Sequence, residues 1–100
     1  MSAEPRPDNE LGGVLLLLAV NHPDDVHFIE LTMNLTSGLQ TYTQRQPTIA
    51  GWKRAKKAAM LHVEGLVFDL IHLDMAEASH DAYARITPKG LQLAKSWGLR

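Results

Sequence analysis

The longest apolar run of the chain, Val14 to Val20, has only seven residues in a sequence of 100. A membrane-spanning helix needs about 20 apolar residues, so this run predicts a buried core element and no membrane partner. Leu and Ala outnumber the β-branched residues in it, which favours a helix over a strand. We expect a soluble, cytoplasmic protein in which residues 1–10 are a disordered leader and residues 11–100 form one domain.

The residue types that carry catalysis are poorly represented. The chain has no cysteine, which excludes a disulfide scaffold, an all-thiolate zinc site and a cysteine nucleophile. It also has no Gly-rich phosphate loop, HExxH motif or G-x-S-x-G element. His62, His72 and His80 lie near acidic residues, but each is expected to be an ordinary half-buried or turn histidine. The sequence therefore predicts no enzyme, no cofactor and no metal site.

Positive charge is concentrated in one short segment. Residues 1–44 carry one cation and six acids, and residues 58–100 carry four cations and five acids. Residues 45–57, by contrast, carry five cations and no acid, within a chain whose net charge is −1. A cluster of basic residues on one element is typical of a surface that binds a polyanion, although a solvated helix face has the same composition.

The front half of the chain is partly ambiguous. Pro23 with Asp24 and Asp25 is typical of a helix start. In residues 26–35, apolar residues alternate with polar ones, which indicates a strand, while Val26, Ile29 and Met33 have helical spacing. A helix is favoured here, and a strand remains open.

The second half of the chain has clearer signals for where helices and strands begin and end. A helix is predicted from Thr48 to about Glu64, ended by Gly65. Residues 66–74 (LVFDLIHLD) then predict a strand, residues 75–81 a polar turn and residues 82–86 (AYARI) a second strand. Thr87 and Pro88 predict the cap and first position of a last helix, which carries Leu91, Ala94 and Trp97 and is closed by Gly98.

Two segments resemble winged-helix transcriptional regulators of the PadR and MarR kind. Residues 61–67 have the form L-x-x-x-G-L-V, and residues 85–91 read R-I-T-P-K-G-L. In those regulators the third helix ends in a leucine and a glycine before the first wing strand, and the second wing strand leads into a Thr-Pro-Lys-Gly turn. The resemblance implies a mostly helical α+β fold, a winged helix with a three-helix core, a two-stranded wing and a C-terminal helix.

The resemblance further implies that residues 48–62 are a recognition helix that binds double-stranded DNA in the major groove. Lysines there are expected to contact phosphates, and an arginine can bind a guanine edge. The candidate DNA-binding residues are Arg45, Gln46, Thr48, Lys53, Arg54, Lys56 and Lys57.

Two assignments of this helix's faces are possible. The favoured one places Ala55, Ala58, Leu61 and His62 against the core and leaves the lysines exposed. The other buries Ile49, Trp52, Ala59 and Val63, and it would bury the ammonium of Lys56 among them, which is costly.

Function follows from the resemblance and the charge as an expectation. The sequence predicts a small winged-helix DNA-binding regulator. It also predicts a homodimer, because the Leu15–Leu18 run and the terminal helix with Trp97 exceed what one small core needs. The alternative is a winged-helix protein-interaction module, an adaptor, antirepressor or modulator of a protein partner, that does not bind DNA.

Overall fold

A computed structural model of the chain describes residues 4–35, 49–80 and 82–98, without the side chains of Leu35, Ile49, Trp52, Ala55 and Lys56. These ranges contain four helices and three strands. Their order is α1 (Glu10–Val20), β1 (Val26–His27), α2 (Phe28–Leu35), α3 (Ile49–His72), β2 (Ala76–His80), β3 (Tyr83–Ile86) and α4 (Pro88–Ser96). The strands form an antiparallel sheet in the order β1-β3-β2. The predicted α+β, mostly helical class is confirmed.

The apolar run near the start forms α1, as its composition predicts. Asn9 caps the helix, since its Oδ1 accepts a hydrogen bond from the backbone N–H of Gly12 at 2.7 Å. Residues 4–9 lie against this first turn: Pro5 is buried, and a Cβ on Gly12 would come within 1.6 Å of the Arg6 carbonyl oxygen. Leu15 and Leu18 are fully buried in the protein's own core, so they are not available as a dimer surface.

Residues 26–35 contain both a strand and a helix. Val26 and His27 form β1 and pair with Ala84 and Tyr83 of β3, and α2 begins only at Phe28. The predicted helix start at Pro23 is wrong, because the residues around it form a turn. Pairing with β3 buries Val26 to 2% exposure, and this contact with a distant part of the chain holds the first two residues extended.

The helix α3 is longer than the sequence predicts. It passes through Gly65 without a break and ends at His72, so the predicted strand over residues 66–74 is wrong. Val63, Val67 and Leu70 are each exposed by 1% or less, and their spacing of four and three residues matches one face of a helix. That face packs against α1, α2 and β2.

The first strand of the C-terminal hairpin lies later in the chain than predicted, and the second lies where it was predicted. Residues Ala76–His80, predicted as a polar turn, form β2, and the predicted second strand is confirmed as β3. Ala76 pairs with Ile86 and Ala78 with Ala84, with an irregularity between Ala78 and His80. Ala and Glu, which make up three of its five residues, are depleted in strands, so β2 depends on its partner strand.

The last helix forms where its capping signals predict. The hydroxyl of Thr87 accepts a hydrogen bond from the N–H of Gly90 at 3.2 Å, and Pro88 occupies the first turn. Ala94 is fully buried, and Leu91 and Trp97 are partly buried against the core. Gly98 has a φ of 92° directly after the helix, a conformation that glycine adopts without strain. Trp97 thus belongs to the core of its own chain.

Candidate nucleic-acid interface

The N-terminal half of α3 presents an exposed cationic surface. Lys53, Arg54 and Lys57 are all exposed, and at about 100° per residue they lie within an arc of about 100° on the helix. The buried face of the same helix, which carries Val63 and Val67, is centred about 120° away from that arc. Burial of the apolar face therefore fixes the direction in which the cations point. We call Lys53, Arg54 and Lys57 the cationic arc.

The favoured assignment of the helix faces is wrong, and the alternative is nearer to the structure. Leu61 is 58% exposed, and Ala58 and His62 are exposed as well. Val63 is buried and Ala59 is partly buried. The reason is that Val63 forms one buried face with Val67 and Leu70, which lie in the segment predicted as a strand. If the helix ends at Gly65, this face cannot be recognised in the sequence.

No acidic side chain of the described residues lies within ion-pair distance of the cationic arc. The ion pairs of the described residues lie elsewhere: His62 pairs with Glu10, His80 with Asp25, and Arg85 with Glu77. Within this part of the chain, the cationic arc is therefore open to a negatively charged ligand. Several positive charges grouped on one surface attract an anionic ligand more strongly than a single charge does.

Four of the predicted site residues lie wholly or partly outside the described residues. Arg45, Gln46 and Thr48 fall in the range 36–48, and Lys56 is placed only as part of the α3 backbone. The structure brings Lys53, Arg54 and Lys57 together on one surface. The roles of Arg45, Gln46, Thr48 and Lys56 stay predictions.

The β2–β3 hairpin carries a mixed polar surface. Arg85 donates from Nε to Oε1 of Glu77 at 2.5 Å across the two strands, and this hydrogen bond and the carboxylate charge raise the pKa of Arg85 above its usual value. At the other end, the ring of Tyr83 stacks on His80 with centroids 4.2 Å apart and lies perpendicular to the ring of His27 with centroids 4.8 Å apart. Because Glu77 holds the one arginine of the hairpin, this element has no free cation among its described residues for a phosphate.

The C-terminal half of α3 carries an exposed apolar surface that the sequence interpretation missed. Leu61 is 58% exposed and Phe68 is 49% exposed. Between them lies Gly65, where an added Cβ would meet no atom within 4 Å. The three residues follow one another at spacings of four and three and so lie on one face. The signal was present in the sequence, but only a continuous helix through Gly65 makes it visible.

In residues 4–35, 49–80 and 82–98, no group of three or more potential metal-ligating side chains comes together. None of the helices in these ranges is long and apolar enough to cross a membrane. The chain matches no family model, no curated protein and no solved structure.

Proposed function

We propose that the chain is a small winged-helix DNA-binding transcriptional regulator that acts in the cytoplasm. The observation that carries the proposal is the cationic arc: three exposed positive side chains on one rigid helix, with no acidic partner among the described residues. Phosphate contacts supply most of the affinity of proteins for DNA, and a helix of this kind fits the major groove.

The order of the elements around the helix supports the same proposal. α3 is followed by the antiparallel hairpin of β2 and β3, and β3 leads through Thr87 into α4. This is the succession that the resemblance implies for a recognition helix, a wing and a C-terminal helix. α3 extends over 24 residues, so the recognition segment would be its N-terminal half and the C-terminal half would anchor it in the core.

The chemistry of each side chain defines its proposed role. Lys53 and Lys57 would bind phosphates as point charges and position the protein. Arg54 would supply the bidentate donor that distinguishes guanine. The remaining candidates would extend the contact toward the start of the helix: Arg45, Gln46, Thr48 and Lys56.

Salt-dependent binding to a duplex tests the proposal. Fluorescence anisotropy with a labelled random-sequence duplex, at several salt concentrations, gives the affinity and its salt slope. Each lost phosphate contact lowers the slope by about 0.9, so Lys53→Glu/Lys57→Glu should lower it by about 2 and weaken binding.

The matched control is Lys89→Glu/Lys95→Glu, which makes the same charge change at two exposed positions of α4. It should retain most of the affinity, because α4 is not part of the proposed interface. Equal losses in the two double variants would show a nonspecific charge effect and contradict the proposal. So would wild-type affinity that does not change with salt.

A second candidate function is a winged-helix protein-interaction module, and the exposure of Leu61 and Phe68 favours it. Large apolar side chains grouped on a surface are typical of protein interfaces. In that case Lys53→Glu/Lys57→Glu would leave binding of the protein partner nearly unchanged. Neutral polar substitutions at Leu61 and Phe68 would abolish that binding.

A further inference from the structure

One exposed side of α3 is cationic near the start of the helix and apolar farther along. Leu61 is 58% exposed and Phe68 is 49% exposed, and we call these two residues the exposed apolar pair. At about 100° per residue, both lie in the same sector of the helix, about 100° wide, as the three residues of the cationic arc. The buried residues lie in another sector and fill the core. The cationic arc and the exposed apolar pair thus follow one another along one side, which we call the outer side of α3.

The helix geometry sets the distances between the two parts of the outer side. With a rise of about 1.5 Å per residue, Lys57 lies about 6 Å beyond Lys53, and Leu61 about 6 Å beyond Lys57. Phe68 lies about 10.5 Å beyond Leu61. Gly65 lies between the exposed apolar pair, and an added Cβ there would meet no atom within 4 Å. A helical segment of about five turns is therefore long enough to contact the whole outer side.

The charge around the two parts of the outer side has opposite sign. The cationic arc has no acidic partner within ion-pair distance among the described residues. Next to the exposed apolar pair the charged residues are acids, since Glu64 lies one turn before Phe68 and Asp69 directly after it. Asp69 is exposed and Glu64 is partly buried. A ligand that fits both parts therefore carries its negative charge over the cationic arc and an uncharged, apolar surface over the exposed apolar pair.

A protein segment meets this requirement better than a nucleic acid or a lipid bilayer does. A duplex is negatively charged along its whole length, so it offers no apolar surface and sets phosphates beside Glu64 and Asp69. A helix that lies in a bilayer surface has its cations and its apolar residues on different faces, whereas here both lie on the outer side. A protein segment can carry carboxylates in one part and apolar side chains in the next.

We propose that the outer side of α3 binds an acidic segment of a protein partner that also carries apolar anchors, and that this segment excludes DNA. Its carboxylates pair with the cationic arc, and its apolar side chains pack on the exposed apolar pair, as a helix with apolar anchors does on a protein surface. The segment and a duplex use the same cations, so the segment is a competitive regulator of DNA binding. The competition rests on the proposed function, whereas binding of the segment does not.

A designed peptide tests this surface on the full chain. The probe is an alanine-rich helical peptide of about five turns. It carries glutamates on one face of its first turns and two leucines, about two turns apart, on the same face of the following turns. The control peptide has the same composition, with its glutamates and leucines on opposite faces. Isothermal titration should show binding of the probe, and at least about tenfold weaker binding of the control peptide, which cannot contact both parts at once.

Variants of the chain locate the contact. Leu61→Gln should weaken binding of the probe by at least about tenfold, because an apolar anchor is lost. Lys53→Glu/Lys57→Glu should weaken it at least as much, because the charge that attracts the carboxylates is reversed. The matched control is Met33→Gln, which changes the 66% exposed Met33 of α2 and should leave binding of the probe unchanged. Circular dichroism of each variant checks that the chain is folded.

Displacement of a labelled duplex measures the competition. Addition of the probe to the complex of wild type and duplex should lower the fluorescence anisotropy to the value of the free duplex. Leu61→Gln should bind the duplex as wild type does, and its release should need at least about tenfold more probe, because only the probe contacts the exposed apolar pair. Wild type that binds the probe and no duplex would overturn the competition together with the proposed function, and would leave binding of the segment supported.

Several outcomes would overturn the inference. They are equal binding of the probe and the control peptide, equal effects of Leu61→Gln and Met33→Gln on the probe, and a complex that holds probe and duplex together. Binding to vesicles of equal parts phosphatidylcholine and phosphatidylserine, if Leu61→Gln abolishes it, would place a membrane on the outer side instead. Self-association in sedimentation equilibrium, if Leu61→Gln abolishes it, would place a second copy of the chain there instead.

Discussion

Gly65 and Gly90 both lie in helices, but the space around their Cα atoms differs. Gly65 lies in the middle of a helix of 24 residues, and an added Cβ would enter open space. Gly90 is the opposite case, because a Cβ there would lie 2.2 Å from the Met75 carbonyl oxygen and 2.9 Å from Cγ1 of Ile86. The contacts with Met75 and Ile86 therefore require glycine at position 90, whereas no contact among the described residues requires it at position 65.

Replacing each of these glycines by alanine should change stability in opposite directions. Gly65→Ala should raise the free energy of unfolding of the monomer by about 0.5–1 kcal/mol, since alanine restricts the unfolded chain and suits a helix. Gly90→Ala should lower it, because backbone must move to make room. Urea unfolding at low protein concentration measures both. A destabilising Gly65→Ala would contradict the open environment of that residue.

Thr87 joins two elements through one hydroxyl group. Its Oγ1 accepts from the N–H of Gly90 and donates to the carbonyl oxygen of Asp74 at 2.5 Å, in the turn after α3. We expect Thr87→Ala to lower the free energy of unfolding by about 1–2 kcal/mol, the usual loss for a helix cap. Thr87→Ser keeps the oxygen and should lose less than half of that amount. Equal losses in the two variants in urea unfolding would show that the hydroxyl contributes nothing.

At the scale of elements, the C-terminal half of α3 is the decisive piece. Residues 66–72 are apolar enough to form either a buried strand or a buried helix. A strand would bury every second residue, whereas the structure buries Val67 and Leu70 and leaves Phe68 and Asp69 exposed. The helix holds the cationic arc and the core in one rigid body.

Alanine substitutions along this segment distinguish the two possibilities. Leu70→Ala should lower the free energy of unfolding by about 2–5 kcal/mol, because it opens a cavity in the core. Phe68→Ala, although it removes a larger side chain, should cost less than about 1 kcal/mol in the monomer, because half-exposed surface residues contribute little. Chemical denaturation of both variants gives the comparison. A larger loss at Phe68 than at Leu70 would contradict the helical register.

At the scale of the whole molecule, α3 carries two exposed surfaces on one side of the helix. The cationic arc lies in its N-terminal half, and the apolar side chains of Leu61 and Phe68 lie in its C-terminal half. The net charge of the chain, −1, gives no long-range attraction to DNA as a whole. Binding to DNA would therefore depend on the cationic segment.

Leu61→Gln should leave DNA binding unchanged. It changes no charge, and Leu61 lies outside the cationic arc. Anisotropy titrations of this variant and wild type at the same salt concentration measure the two affinities. A loss of affinity in Leu61→Gln would show that DNA contacts extend over the exposed apolar surface of α3.

Several elements were predictable from short stretches of sequence because their signals are local. Thr87 and Pro88 begin α4 by capping chemistry that involves only neighbouring residues, and Gly98 ends it in the same way. The composition of Val14 to Val20 favours the helix it forms. The clustering of cations on α3 also follows from the sequence, since residues three and four apart share a helix face.

Other features depended on contacts between distant residues. Val26 and His27 are extended because β3 pairs with them, and Ala76–His80 is a strand for the same reason. Residues 76–80 have no β-branched residue and no Phe, Tyr or Trp that would favour a strand, and the two residues of β1 are too few to form a strand without a partner. The prediction of which face of α3 points outward was also wrong. The rotation of a helix about its axis is set by which of its residues pack in the core, here Val63, Val67 and Leu70.

The sequence by itself determined the caps, the apolar first helix and the concentration of positive charge in residues 45–57, because each depends on residues close together in the chain. The tertiary structure decided how far α3 extends, which of its faces is buried and that Leu61 and Phe68 remain outside. Those outcomes depend on burial of Val63, Val67 and Leu70 against α1, α2 and β2. Burial is a property of the packed molecule, and no short segment encodes it.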